Sequence, residues 1–168
     1  KSALLANWAN AWKGKHQEYE IFMHHLGCGA DTADPVYLVT RLIREVARIT
    51  GDEFKPEIDP EKLLQQVPDC LASASAWSER EGKTFLILLD GLDKFSEVNQ
   101  LRCLPQYLPL GIKLIVSCLD GDIKDGLIGR LNWSELRVEP FTKYDRNLFI
   151  DKYLDRYRKK LNLRQKEA

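Results

Sequence analysis

The chain reads as an α/β protein with a parallel sheet covered by helices on both faces, and three observations predict it. Short apolar runs alternate with helical stretches long enough to act as crossovers between parallel strands. One run, Thr84-Phe85-Leu86-Ile87-Leu88-Leu89-Asp90, is apolar throughout its interior and ends in an acid. That is how a strand buried on both faces looks when it delivers a carboxylate to its C-terminal edge. Two helices are opened by the same Asp-Pro step, at 34–35 and 59–60, with proline at the first helical position.

The elements follow in order. Ser2 to Trp12 places Ala3, Leu4, Leu5, Trp8, Ala9 and Trp12 at helical spacing, with Gly14 suited to a C-cap. Tyr19 to Leu26 is strand-like and closes on Gly27-Cys28-Gly29. The first Asp-Pro helix carries Leu38, Leu42, Ile43, Val46 and Ile49 on one stripe to Gly51; Asp52 to Ile58 is a polar loop. The second carries Leu63, Leu64, Val67, Cys70 and Leu71 and runs to about Arg80, before the strand ending at Asp90. A helix near Val98 to Leu104 gives way to Pro105 and Pro109, and Ile112 to Ser117 is another buried strand. Leu136 to Val138 reads as a short strand, and a last helix spans Lys143 to about Leu161.

A length of 168 residues is ample for one core. Lys+Arg and Asp+Glu are both 25, so no net field points to nucleic acid or a membrane surface. The basic run Arg156-Tyr157-Arg158-Lys159-Lys160 is local and suits the dipole-matched end of a helix. Cys28, Cys70, Cys103 and Cys118 form no C-x-x-C pair, so zinc is not expected and reduced thiols in a cytoplasmic protein are. No apolar run reaches the roughly 18 residues of a membrane span.

Chemistry concentrates at two places. Lys1-Ser2 opens an apolar helix, as the end of a phosphate-binding loop G-x-x-x-x-G-K-[ST] does, although the glycines of that loop are absent. Asp90-Gly91-Leu92-Asp93 closes the apolar strand. Together with Leu108-Pro109-Leu110-Gly111 leading into Ile112–Ser117, with His24-His25-Leu26-Gly27, and with Val138-Glu139-Pro140-Phe141-Thr142 before the last helix, these segments resemble the NTPase core of the NACHT-type STAND ATPases. Within that class they are most similar to the nephrocystin-like and telomerase-associated-protein-like branch.

The resemblance implies a three-layer P-loop NTPase of the ASCE type over residues 1–140, with 141–168 beginning a helical lid. Lys1 would reach the β- and γ-phosphates, Ser2 and Asp90 would hold Mg²⁺, Ser117 would sense the γ-phosphate, and Asp93 would be the remaining catalytic base. ATP and ADP with Mg²⁺ are the implied cofactors. The implied function is an ATP-binding signalling switch that changes conformation and oligomerises, with protein partners reached through flanking domains and neither nucleic acid nor membrane. A catalytically inactive scaffold is the alternative.

Three departures qualify the resemblance. Lys94 follows Asp93 where relatives commonly carry glutamate, and a protonated lysine cannot take a proton from water. Cys118-Leu119-Asp120 follows Ser117 without the arginine many relatives place there. The strand that feeds the phosphate loop, expected at the sheet centre in the order 5-1-4-3-2, is missing, so the chain is expected to be a piece of a longer protein.

Other candidates carry less. His24 and His25 should face opposite sides of their strand, one packed or capped and one more exposed, with no acidic partner at ligand spacing. Trp8, Trp12, Trp77 and Trp133 suit packing better than base stacking. Asp120, Asp122 and Asp125 suit a solvated loop, and no Ser-His-Asp set is legible.

Overall fold

The computed structural model describes residues 2–130, 132–162, 164 and 165. The chain divides into two compact units between Trp133 and Ser134. The first holds helix α1 (Ser2–Lys13), strand β1 (Tyr19–His25), helices α2 (Pro35–Thr50) and α3 (Pro60–Glu81), strands β2 (Thr84–Asp90) and β3 (Ile112–Val116), and helix α4 (Asp122–Ile128). Residues Leu92–Lys94 and Val98–Cys103 form 3₁₀ turns, the second where an ordinary helix was expected.

The three strands form one parallel sheet in the order β1-β2-β3. Because the strands are parallel, His25, Asp90 and Ser117 all arrive at the same edge, His25 directly opposite Asp90 in the ladder. β2 is the central strand and is buried from Phe85 to Asp90, as its uninterrupted apolar run requires.

One face is dry. Phe22, Phe85, Ile87, Leu89 and Ile112 meet Leu38, Leu42, Ile43 and Val46 of α2 and Leu63, Val67 and Leu71 of α3 in a single core. The two covering helices are fixed at both ends. Asp34 accepts from the Val36 N–H at 2.9 Å and Asp59 from the Lys62 N–H at 2.9 Å. Gly51 and Gly82 then take left-handed conformations, φ 78° and 65°, to close them. Pro68 sits inside α3 and supplies no N–H to the preceding turn.

The other face carries Tyr19, Leu86, Leu88 and Lys113, and α1 lies on it, with Trp12 in edge contact with Tyr19 at 5.7 Å. Trp8 and Trp12 stack on each other at 5.3 Å, Trp77 is buried, and Trp133 donates to the Leu127 carbonyl at 2.8 Å. All four act in packing.

Three expectations are corrected. Leu136–Val138 forms no strand: three residues acquire strand geometry only through a ladder partner, and Arg137 instead pairs with its neighbour Glu139 at 3.6 Å. Asp122 and Asp125 are not in a loop but in the first turn of α4, where carboxylates complement the helix dipole while Ile123 and Leu127 bury one face. The helix of the second unit, α5 (Lys143–Asp155), begins with a Thr142–Asp145 capping box and stops well before Leu161. Continuing it would stack Arg156 on Lys160 at the repulsive i,i+4 spacing. The chain instead turns through Arg158 at φ 54°, and the basic run lies beyond the helix end. Along α5, Phe149 contacts Tyr153 at 6.3 Å, and Phe141 contacts Phe149 at 6.1 Å.

Candidate functional site

The site grows from two glycine turns. β1 and β2 each end and turn at once, Gly27 at φ 74° and Gly91 at φ 83°, backbone angles that L side chains rarely adopt. The turns leave the last side chain of each strand at the sheet edge. Ser117, one residue past β3, locks the register there: its N–H donates to the Leu89 carbonyl at 2.9 Å and its own carbonyl accepts from Leu92 N–H at 2.9 Å.

Asp90 is the hub. Its side chain is only 4% exposed, yet both oxygens are engaged. Ser117 Oγ donates to Oδ1 at 2.5 Å, and His25 Nδ1 donates to Oδ2 at 2.9 Å. The Ser2 hydroxyl, at the start of α1, lies close enough to favour the charged form of the carboxylate. Ser117 Oγ in turn accepts from the Gly91 N–H at 2.9 Å, so its hydroxyl is held from both sides. Burial is the largest influence on this carboxyl and raises its pKa. Ser117, Ser2 and His25 together outweigh it and hold the group below its ordinary value, ionised at neutral pH.

The two adjacent histidines separate as strand geometry demands. His24 is fully buried, accepts from Arg41 Nη1 at Nδ1 (2.7 Å) and donates from Nε2 to the Thr32 carbonyl at 2.7 Å. His25 has a side chain 32% exposed. The expectation that neither histidine has an acidic partner is corrected, for His25 is paired with Asp90. The two are 65 residues apart in sequence, and only the parallel register aligns them. The legible hint was that each ends its strand immediately before a glycine turn. Ser117, Asp90 and His25 do form a connected set, but the carboxylate sits in the middle. A Ser-His-Asp nucleophile needs the histidine there to take the serine proton, so acyl-transfer chemistry is not built here.

Asp93 stands beside this hub, not in it. Its Oδ1 accepts from the Leu119 N–H at 3.2 Å and its Oδ2 pairs with Lys94 Nζ at 3.2 Å. A cleft of about 490 Å³ opens next to it, bordered by Glu97, Asp120 and Asp122, with Asp120 paired to Lys124 at 2.8 Å. A second cavity, of about 260 Å³ between Leu64–Leu71 and Leu104–Pro109, shares none of these residues.

Of the residues expected at a nucleotide site, Ser2, Asp90 and Ser117 come together, Asp93 lies next to them, and Lys1 falls outside the described residues. Among the described residues no cluster of three or more His, Cys, Asp or Glu side chains could hold a metal ion by itself. Ser2 and Asp90 bring a hydroxyl and a carboxylate to the same place, a pair of hard oxygens suited to Mg²⁺, which characteristically completes its shell with water and substrate phosphates. None of the four cysteines forms a disulfide, and burial pushes the Cys70 and Cys103 thiols up to about 12, leaving them inert. Among the described residues no helix is long and apolar enough to cross a membrane.

The chain is similar to a TPR repeat-containing protein of Dictyostelium discoideum, 24% identical over 204 aligned residues that include 100% of this chain and 12% of that protein. It therefore spans a small part of that relative's length. No family model matches the chain. No solved structure matches it.

Proposed function

We propose that this module binds ATP with Mg²⁺ and serves as the nucleotide switch of a NACHT-type STAND NTPase, in the nephrocystin-like and telomerase-associated-protein-like branch. One observation carries the reading: the hydroxyl that opens α1, the carboxylate that ends β2 and the hydroxyl that follows β3 meet at the C-terminal edge of a parallel sheet. Ligands of open α/β sheets bind at that edge. A helix N-terminus there presents unpaired N–H groups and a positive dipole end to phosphate. The order β1-β2-β3 is the one this reading needs for its second, third and fourth strands.

In this reading Lys1 binds the β- and γ-phosphates, Ser2 and Asp90 hold Mg²⁺, and Ser117 reports on the γ-phosphate. Magnesium, held there by Ser2 and Asp90, would supply positive charge to offset that of the phosphates. Ser117 and His25 keep the Asp90 carboxylate ionised and fixed in orientation. Asp93 is the remaining acid for activating water, but it is held by Lys94 and by the Leu119 amide. Lys94 stands where relatives commonly carry glutamate, and a protonated lysine cannot take a proton from water, so hydrolysis is slow and occupancy and exchange set the switch. The same lysine favours the second reading, a scaffold that no longer turns over nucleotide. The Dictyostelium relative is named for TPR repeats, and a switch joined to repeats of that kind would act through protein partners and self-assembly in the cytoplasm.

Calorimetric titration of the intact protein with ATP and Mg²⁺ tests this. Binding is expected, and Asp90→Asn, which keeps the shape of the side chain but removes its charge, should abolish the magnesium dependence. Undiminished magnesium-dependent affinity in that variant removes the assignment. Single-turnover hydrolysis then separates switch from scaffold: slow release of phosphate, lost in Asp93→Asn, supports the switch.

A further inference from the structure

The nucleotide reading gives one charged side chain at this edge no part in binding. Lys94 lies in the 3₁₀ turn that follows β2, and its aliphatic stem is seated across both glycine turns. A Cβ built on Gly27 would stand 3.0 Å from Lys94 Cγ, and one built on Gly91 would stand 3.7 Å from it. Both turns thus leave the space that the stem fills, and both belong to strands whose last residues, His25 and Asp90, form the hub. The stem is packed while its head is open to water, for the side chain is 55% exposed and its partner is Asp93 at 3.2 Å.

A pair this open to water contributes about 0–1 kcal/mol and is readily exchanged for a stronger partner. A terminal phosphate is such a partner, since it offers several charged acceptors to one ammonium group. The surroundings make the exchange directional. Asp90 and Asp93 are two carboxylates at this edge, and the cleft beyond Asp93 is bordered by three more. A triphosphate arriving here needs cations to offset that field. Two lysines pair with these carboxylates: Lys124 with Asp120 at 2.8 Å at the border of the cleft, and Lys94 with Asp93, beside the strand ends that carry the hub.

Building on the nucleotide reading, we propose that Lys94 determines nucleotide specificity, leaving Asp93 to bind the terminal phosphate of a nucleoside triphosphate and so distinguishing it from the diphosphate. The exchange frees Asp93 from its ion pair while the Leu119 N–H still holds its other oxygen. Recognition of the third phosphate is thereby linked to the segment after β3.

Calorimetric affinities of the intact protein for ATP and for ADP, each with Mg²⁺, test the proposal in the unmodified protein and in Lys94→Ala and Lys94→Arg. Lys94→Ala should weaken ATP binding about tenfold and leave ADP binding within about twofold, with Lys94→Arg intermediate. Equal losses for the two nucleotides, or no loss for either, overturn the inference and leave the nucleotide reading standing. Failure of the unmodified protein to bind either nucleotide removes both. An unchanged urea midpoint in each variant assigns the affinity change to the contact itself.

Discussion

The face of the sheet under α2 and α3 and the edge where its strands end are built on opposite principles. Under the helices, Ile43, Leu63 and Leu71 are sealed from water and bonded to nothing in particular, and their contribution comes from area and close packing. At the edge, Asp90 is almost as deeply buried, yet it is held by directed hydrogen bonds from Ser117 and His25 and framed by two glycines in left-handed conformations. The first region tolerates exchange of one apolar group for another of equal volume. The second has a specific partner for each polar atom, so a change there alters charge and geometry before it alters stability. Stability and chemistry are thus assigned to different parts of one short sheet.

The largest test of that contrast is a cavity. Ile43→Ala removes a fully buried side chain from the helix-covered face and should cost about 2–5 kcal/mol in a urea titration. It should leave the sheet edge unchanged wherever the variant remains folded. A loss well under 1 kcal/mol would mean that this face is not the stabilising one.

A smaller effect is expected from Ser117→Ala. It strips one bond from Asp90 and orphans the Gly91 N–H, for about 1–3 kcal/mol. Unlike the cavity, it should also raise the Asp90 pKa toward the ordinary range, followed by carbon-13 NMR of the carboxyl. An unmoved carboxyl would show that the edge is not organised around this hydroxyl.

The mildest test is pH, through a buried polar group on the dry side. Burial lowers the His24 pKa below its ordinary 6.5; the Thr32 carbonyl opposes this, while the charge of Arg41 and then that of His25 add to it. The folded protein therefore holds that proton less tightly than the unfolded chain. The contribution of neutral His24 is complete above pH 6.5 and is lost as pH falls below it. The urea midpoint should drop between about pH 7 and pH 5, less so in His24→Gln; equal slopes in the two proteins would exclude His24 as the source.

How much of this was legible in the sequence depended on how local each cause is. The Asp-Pro steps at 34 and 59, the glycines at 51 and 82, and the apolar run to Asp90 act within a few residues, and the elements they imply are where they were expected. Leu136–Val138 was misread because a strand exists only with a neighbour, which three residues do not encode. Asp122 and Asp125 were misread because acidity suggests solvent, and the helix under them is decided by Ile123 and Leu127 one turn apart. Ser2, Asp90 and Ser117 could be anticipated together from the shared polarity of parallel strands. The His25–Asp90 bond could not, since it follows from an exact register across the sheet, and neither could the seating of Lys94 over Gly27 and Gly91.

The spacing of the hub's partners along the chain bears on how the molecule forms. Asp90 reaches Ser117 across 27 residues but His25 across 65. Closing the longer loop costs about 0.8 kcal/mol more chain entropy, before the α2–α3 pair forms and shortens it. The serine arm is thus the cheaper one to assemble and the histidine arm waits on the helices between. A chain caught midway through folding holds Asp90 by one hand only, and the finished edge certifies that the helical crossover has closed.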